Sequence, residues 1–575
     1  MSELPLPVPS TPSPTLTYRD KLNITDFTIN IPGSKVRQRE DASTSSSGTS
    51  DKPRPRWDTL EFRLYGVVFL VVVPMMIWVP IRLSLPSHPN YYNFEYRLSE
   101  GWFGHKVDNS DAQYRTFRSN LTALLSLSSV YLATSSMFSR LVKPTPKQRL
   151  KLIAAFSTAM IVLLHGFSSL KILVILFLNY RLSKIRILNE GFLKKVWPGI
   201  LIVLNMGVLF LNDRHQGYRF GELHAALGTF DKWEGMLPRW HISFNITMMR
   251  MVSFGIDYLW SNQNDIPNQE VPTDYRKRVT TSLPSEDYNF INYLAYCLYP
   301  PLYIAGPIMT FNDFVWQTRN PTNIPVKAKI SYGVRWAFSI LTMESVLHTM
   351  YMVAIKDSKA WLGDSPAEMS MIGFWNLVIV WLKLLIPWRF FRLWALLDGM
   401  DPPENMIRCV ANNYSTLGFW RSWHRSYNLW VVRYIYIPVG GSKNAVLATG
   451  LVFTFVALWH DLSFKLLAWG WLVSLFILPE LVARKVFTEK SYGNNWWYRH
   501  VCAIGGVINV LLMMSANLVG FVLGLDGMKV LLNELTTTVS GWTFMIFASC
   551  CLFVAVHVMF EYREEEKRRG IDRRC

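Results

Sequence analysis

Disulfide and zinc spacings are missing from this chain. Its six cysteines, Cys297, Cys409, Cys502, Cys550, Cys551 and Cys575, form no framework, which excludes a small cross-linked or metal-stapled scaffold. Residues 1–56 hold no apolar h-region, so no cleavable signal peptide is expected there. The first spanning helix is expected to act as the insertion signal. No internal repeat is evident, which argues against a solenoid. No basic soluble module stands out either, so the net charge of +18 does not point to nucleic acid. It sits in tails and loops, where anionic headgroups or an anionic substrate would meet it.

What the chain does have is apolar length. Half of its 575 residues are hydrophobic and 14% are aromatic. They collect in runs of roughly 16 to 25 residues, the length that crosses a hydrocarbon core. The expected fold is all-α: a polytopic membrane protein of about eleven transmembrane helices with re-entrant or interfacial helices. The spans are expected near 64–83, 117–138, 150–167, 170–182, 196–211, 330–354, 371–385, 445–459, 464–477, 500–522 and 542–558. Residues 1–56, rich in Pro, Ser and Thr, are expected to be a disordered tail. Residues 57–562 are expected to form the membrane domain and 563–575 a charged, solvated tail. Residues 90–118 read as an ordered connecting loop, 240–259 as a buried or interfacial helix, and 261–289 as a solvent loop. Residues 293–311 carry Pro300-Pro301 and Gly306-Pro307, which break any straight helix and suit a segment lining a protein cavity. Residues 387–400, with Arg389 and Arg392 among aromatics, suggest an interfacial helix. The Pro402-Pro403 pair then makes 401–409 a turn.

The chemistry concentrates in 419–460, where a dense aromatic and arginine segment with His424 precedes an apolar run ending in Trp459-His460-Asp461. Histidines in or beside lipid are costly unless something uses or pairs them. Helical spacing over 419–434 puts Trp420, Trp423, His424, Tyr427, Trp430, Val431 and Tyr434 on one face, and Arg421, Arg425 and Asn428 on another. Pro438 and Gly440-Gly441 end that helix, and the next run returns the chain to His460. A hairpin of two helices brings the imidazoles face to face. An imidazole titrates near the working pH and suits a general base. Simpler readings stand beside this one: a packing histidine at 424, a helix-end histidine beside Asp461, and arginines that meet lipid phosphates.

These residues resemble the membrane-bound O-acyltransferases. The resemblance is carried by YPPLYIAGPIMTFNDF (299–314), DPPENMIRC (401–409), FWRSWHRSYNLWVVRYIYIPVGG (419–441) and ALWHD (457–461), and it covers most of the chain from Trp57 onward. Segments 106–115, 384–409 and 560–571 resemble the fungal glycerol-uptake branch of that family, near Hedgehog acyltransferase.

The resemblance implies a multi-helix membrane body with a central tunnel. Acyl-CoA enters from the cytosolic side, and the hydroxyl acceptor from the luminal side or the bilayer. The family's catalytic histidine falls on His460 and its second functional position on His424. Many relatives have Gly where this chain has Asp461, a departure that bears on the histidine's basicity. The implied reaction places a long acyl chain on the sn-2 hydroxyl of a lyso-glycosylphosphatidylinositol (lyso-GPI) anchor, in the endoplasmic reticulum membrane or, as a second location, the plasma membrane. Trp420, Arg421, Trp423, Arg425, Asn428, Trp459 and Asp461 are the candidate substrate contacts, and Arg421, Arg425 and Lys443 the candidate partners of the CoA phosphates. Thiolate leaves, so no metal or other cofactor is required. Cys409 matches a haem-binding cysteine of Hedgehog acyltransferase, with a buried free thiol as the plainer reading. The competing class is a proton-coupled glycerol or polyol transporter, since intramembrane His and Asp also mark proton relays. Against it, no inverted repeat is visible.

Overall fold

The computed structural model describes residues 55–185, 191–262, 275–460 and 464–571. Its first part holds α1 (Leu60–Leu83), a two-stranded antiparallel hairpin of β1 (Leu98–Glu100) and β2 (Lys106–Asp108), α2 (Ala112–Ser119), α3 (Leu121–Val142), α4 (Pro146–His165), α5 (Ser168–Ser183), α6 (Gly191–Arg214) and α7 (Phe220–Leu223). The middle holds α8 (Trp240–Ser261), α9 (Tyr275–Thr280), α10 (Phe290–Cys297), α11 (Pro300–Tyr303), α12 (Phe311–Arg319), α13 (Val326–Thr349), α14 (Met352–Asp357) and α15 (Pro366–Leu397). The last part holds α16 (Thr416–Ser422), α17 (Arg425–Val431), α18 (Ala445–His460), α19 (Phe464–Val486), α20 (Glu489–Tyr492), α21 (Tyr498–Asn517), α22 (Gly524–Thr537) and α23 (Val539–Arg568).

Long helices begin where side chains satisfy their free amides. Thr59 accepts from the Phe62 amide at the start of α1. Capping boxes open α4 (Thr145 with Gln148) and α15 (Ser365 with Glu368), each followed by a proline at the first helical position, where its missing N–H costs nothing. Asp108, at the end of the hairpin, accepts from the Val353 and Ala354 amides at 3.0 and 2.9 Å, so a strand residue caps α14.

Seven helices among the described residues are long and apolar enough to cross a membrane: α1, α3, α4, α6, α15, α21 together with its π-helical continuation (Leu518–Val522), and α23. Each coincides with an expected span. The four other expected spans are also helices of this bundle. However, α5 and α18 have only 16 residues each, and charged residues lower the apolar character of α13 (Arg335, Glu344). Only 6% of the apolar window of α1 is buried against 50% for α15. Thus α1 lies at the lipid-facing rim and α15 runs through the middle.

The expectations differ from the structure in four places. Residues 387–400 are no interfacial helix; they continue α15 through Pro387, and Arg389 and Arg392 are buried. Arg392 donates to the Pro402 carbonyl at 2.9 Å and to Asp401 at 2.7 Å, and its other terminal nitrogen lies 3.5 Å from Glu404. A cation tolerates burial when paired in this way. Residues 90–118 fold into the hairpin and α2. In 261–289, Asp287 and Tyr288 are buried, while 263–274 lie outside the described residues. At the other end α23 continues through Arg568, with Glu561 and Glu566 buried and paired to arginines, so the charged tail is helical for its first six residues. Residues 1–54 of the expected N-terminal tail lie outside the described residues.

Two large apolar cores fill the body. One joins α4, α5, α6, α8, α10, α12 and α18. The other joins α13, α14, the middle of α15 and the hairpin. The irregular segments lie along the first, and their polar backbone is satisfied from within. The break between α10 and α11 frees carbonyls that Arg250, fully buried on α8, takes up: it donates to Cys297 O at 2.9 Å and also to Leu302 O. Non-helical backbone survives at membrane depth only under such conditions.

Candidate active site

The segment 419–434 is not one helix. It breaks at His424, whose backbone is left-handed (φ 43°, ψ 50°) between α16 and α17. That conformation costs a non-glycine residue roughly 1–2 kcal/mol, so something must hold it. The Asn405 side chain accepts from the Ser426 amide at 3.1 Å, and the Asn405 carbonyl accepts from the Arg425 amide at 3.0 Å. Asn405 thereby caps α17 from the 401–409 turn, which Arg392 fixes in place. The Ser426 hydroxyl in turn accepts from the Ile308 amide at 2.9 Å, tying the site to the broken α10–α11 segment.

Beyond α17 the helix widens into a π turn (Val432–Tyr436). This turn is anchored on α8. Asp257 accepts from Arg433 at 2.9 Å and from the Tyr434 hydroxyl at 3.0 Å, and Tyr434 meets Ser253 at 2.7 Å. The Trp430 indole donates to Met249 O and that of Trp459 to Asn245 O, both on α8.

The break turns His424 between the two cores. Its ring stacks on Trp388 of α15 at 4.4 Å and on Tyr427 at 5.1 Å, and lies 6.3 Å from Trp459. Tyr427 lies 4.8 Å from Trp459 and 6.4 Å from His460. The two imidazoles therefore flank one aromatic pair. Neither is hydrogen-bonded to a described residue. His424 is partly exposed. His460 is exposed. Such a pair can take a proton from a small hydroxyl and orient it.

The other expected contacts divide. Trp459 belongs to the cluster. Trp423 stacks on Phe419 and packs against the second core. Trp420 packs with Phe453 and Trp469, in the group between α18 and α19, and is not brought to the imidazoles. Arg421 and Lys443 are exposed, and Arg425 and Asn428 are half-buried. Asp461 lies outside the described residues. Two members went unrecognised as site residues in the sequence. Trp388 was placed at an interface. Tyr427 reads in the sequence only as part of an aromatic face, yet its hydroxyl is buried without a hydrogen-bond partner among the described residues. Such a group is rare in a folded protein and marks a functional position or an unseen partner.

An apolar groove of about 710 Å³ lies along α19, lined by Leu475, Leu478, Pro479, Val482 and neighbours with Leu512 of α21. It contains neither histidine. Its lining is that of a lipid-facing surface, so side-chain chemistry and not groove volume locates the site. At Cys409, burial pushes the thiol up from its usual value, against the thiolate that a haem iron takes; backbone amides and Arg389 oppose this.

The sequence model of the membrane-bound O-acyltransferase family matches residues 235–525, a range that contains the broken α10–α11 segment, the capping turn and both histidines. Membrane-bound O-acyltransferase GUP1 of Saccharomyces cerevisiae is 47% identical over 94% of this chain and 96% of its own length. Membrane-bound O-acyltransferase gup1 of Schizosaccharomyces pombe is 39% identical over 95% and 97%. Protein-cysteine N-palmitoyltransferase HHAT of Mus musculus is 28% identical over 36% of this chain and 43% of its own. The chain belongs to the membrane-bound O-acyltransferase family.

Proposed function

We propose that His460 is the general base of this acyltransferase and that His424 positions the acceptor. Enzymes of the family use acyl-CoA as co-substrate and need no further cofactor. The reaction is an ester exchange. His460 takes the proton from the acceptor hydroxyl, the oxygen attacks the thioester carbonyl, the C–S bond breaks, and the proton passes to the departing CoA thiolate. His424 and the Tyr427 hydroxyl hydrogen-bond the acceptor or the developing oxyanion. The acyl chain is proposed to reach the two rings through an apolar passage. The observation that carries this reading is the pair of imidazoles flanking Tyr427 and Trp459, each with exposure left for a ligand.

The acceptor proposed is the sn-2 hydroxyl of a lyso-GPI anchor, in the endoplasmic reticulum membrane. Its support is the resemblance of segments 106–115, 384–409 and 560–571 to the fungal branch. Arg421, Arg425 and Lys443 are proposed to meet the CoA phosphates. The acyltransferase unit is proposed to begin near Trp57 and to include α23 as far as Arg568. The test uses the full chain purified in detergent with a labelled long-chain acyl-CoA, offered lyso-GPI or a lysophosphatidylcholine. Transfer to lyso-GPI that His460→Ala abolishes supports the assignment. Transfer only to the other lysolipid overturns the acceptor. Full activity in a folded His460→Ala protein overturns the base.

A further inference from the structure

Away from the reaction centre, three helices distant in sequence bring metal-ligating groups together. Glu61 lies in the first turn of α1, His500 near the start of α21, and His557 just past the middle of α23. One ring nitrogen of each histidine and one carboxylate oxygen of Glu61 all lie within 4.8 Å of one another. Two of these atoms are already at ligand spacing. His500 Nδ1 stands 3.2 Å from His557 Nε2, and two imidazole nitrogens on one tetrahedral zinc, each about 2.0–2.1 Å from it, are roughly 3.3 Å apart.

The surroundings fit a cation. His557 is fully buried. Glu61 makes no ion pair among the described residues; the Tyr65 hydroxyl donates to it at 2.7 Å and fixes its direction, the kind of outer contact that orients a metal's carboxylate. Two of the cations close by are already neutralised. Arg499 is held by Glu561 at 3.3 Å and by Glu564 at 2.5 Å, and Arg568 is held by Glu561 at 2.6 Å. This belt of charged residues also marks the cluster as lying at the water boundary, where an ion can enter.

We propose that Glu61, His500 and His557 bind one zinc ion, with water completing the coordination, and that the ion clamps α1 to α21 and α23. The ligand set is two imidazoles and a carboxylate, which suits zinc among the abundant divalent ions, although copper and nickel would also take it. The clamp has a mechanical reason. Since α1 buries so little of its apolar surface, a cross-link at its first turn holds the start of the bundle to its end. A plain imidazole–imidazole hydrogen bond is the competing account of the same geometry.

The experiment equilibrates the purified full-length protein with zinc chloride, removes the excess by gel filtration, and measures zinc per chain by mass spectrometry. It also follows thermal unfolding with and without a chelator. The expected result is on the order of one zinc per chain, lost in the double variant His500→Ala/His557→Ala and reduced in Glu61→Gln, with chelation lowering the midpoint of the wild type only. The half-buried Glu61 and His500→Gln variants guard against a misfolded double variant. Zinc no higher in the wild type than in the variants, or a midpoint that ignores the chelator, overturns the proposal in favour of the hydrogen bond.

Discussion

Removing the hydroxyl of Tyr427 separates stability from chemistry. The group is buried with no hydrogen-bond partner among the described residues, and its ring neighbours both imidazoles. A buried hydroxyl without a hydrogen bond destabilises a protein by about 1–3 kcal/mol. Tyr427→Phe keeps the ring contacts with His424 and Trp459 and deletes only the oxygen. The free enzyme should therefore be as stable as the wild type or more so, by up to about 1–3 kcal/mol, read as a raised unfolding midpoint. If the hydroxyl donates to the oxyanion as it forms, the same change removes a contact made in the transition state. Losing one such donor costs about 2.7–4 kcal/mol, a fall of roughly 10²–10³-fold in kcat. Acyl transfer with varied acyl-CoA and varied acceptor, beside a thermal melt on the same preparation, gives both quantities. A variant with unchanged kcat refutes the proposed contact. A lowered midpoint refutes the structural premise, because it means the hydroxyl had a partner in the resting protein.

Two further perturbations test how the site is held and how a distant loop responds to pH. Asn405→Ala removes the side-chain cap of α17 and should cost about 0.5–2 kcal/mol, the range for cap losses; kcat should fall because the His424 break relaxes, while Asn405→Asp, which keeps the accepting oxygen, should restore most of it in the same assay. Burial, above all, pushes Asp364 up to about 6, with Glu368 adding to this and His88, Asn90 and Arg82 opposing. Between pH about 4 and 6 the unfolded chain has released a proton that the folded chain still holds, so stability falls as pH rises through that window and then levels off. Asp364→Asn should flatten that slope and raise the midpoint at pH 7; an unchanged profile from pH 4 to 7 would sink the assignment.

The sequence made the site's address legible but not its geometry. His460 and the aromatic run could be found because imidazoles at the end of an apolar segment have little reason to be there unless used. The seven strongest spans were visible as apolar length. The break at His424 was not visible, because the residues on either side of it keep helical spacing. What stops the helix is a cap supplied by Asn405, which no local pattern around 424 announces. Arg389 and Arg392 misled in the opposite way. A guanidinium prefers water, so two of them among aromatics read as an interface. The acids that make the burial of Arg392 tolerable, Asp401 and Glu404, sit in the following turn and count only once the chain folds back. Trp388 was lost with that error.

These misreadings share a cause, and the cause explains where the site is. A continuous helix needs no neighbour to satisfy its backbone, so it can stand anywhere in the bundle, including the lipid-facing rim where α1 and α23 lie. A left-handed residue, a π turn and a helix broken by two prolines each leave amides or carbonyls that only other parts of the protein can satisfy. Such backbone is confined to the interior, where Asn405, Ser426 and Arg250 reach it and where Asp257 holds the side chains of the π turn. The same irregularity turns His424 out of its helix face and lets it lie between Trp388 of one core and Tyr427 of the other. Chemistry in this fold therefore collects where the secondary structure is least regular, and there the polar residues that mend the backbone are also those that aim the imidazole.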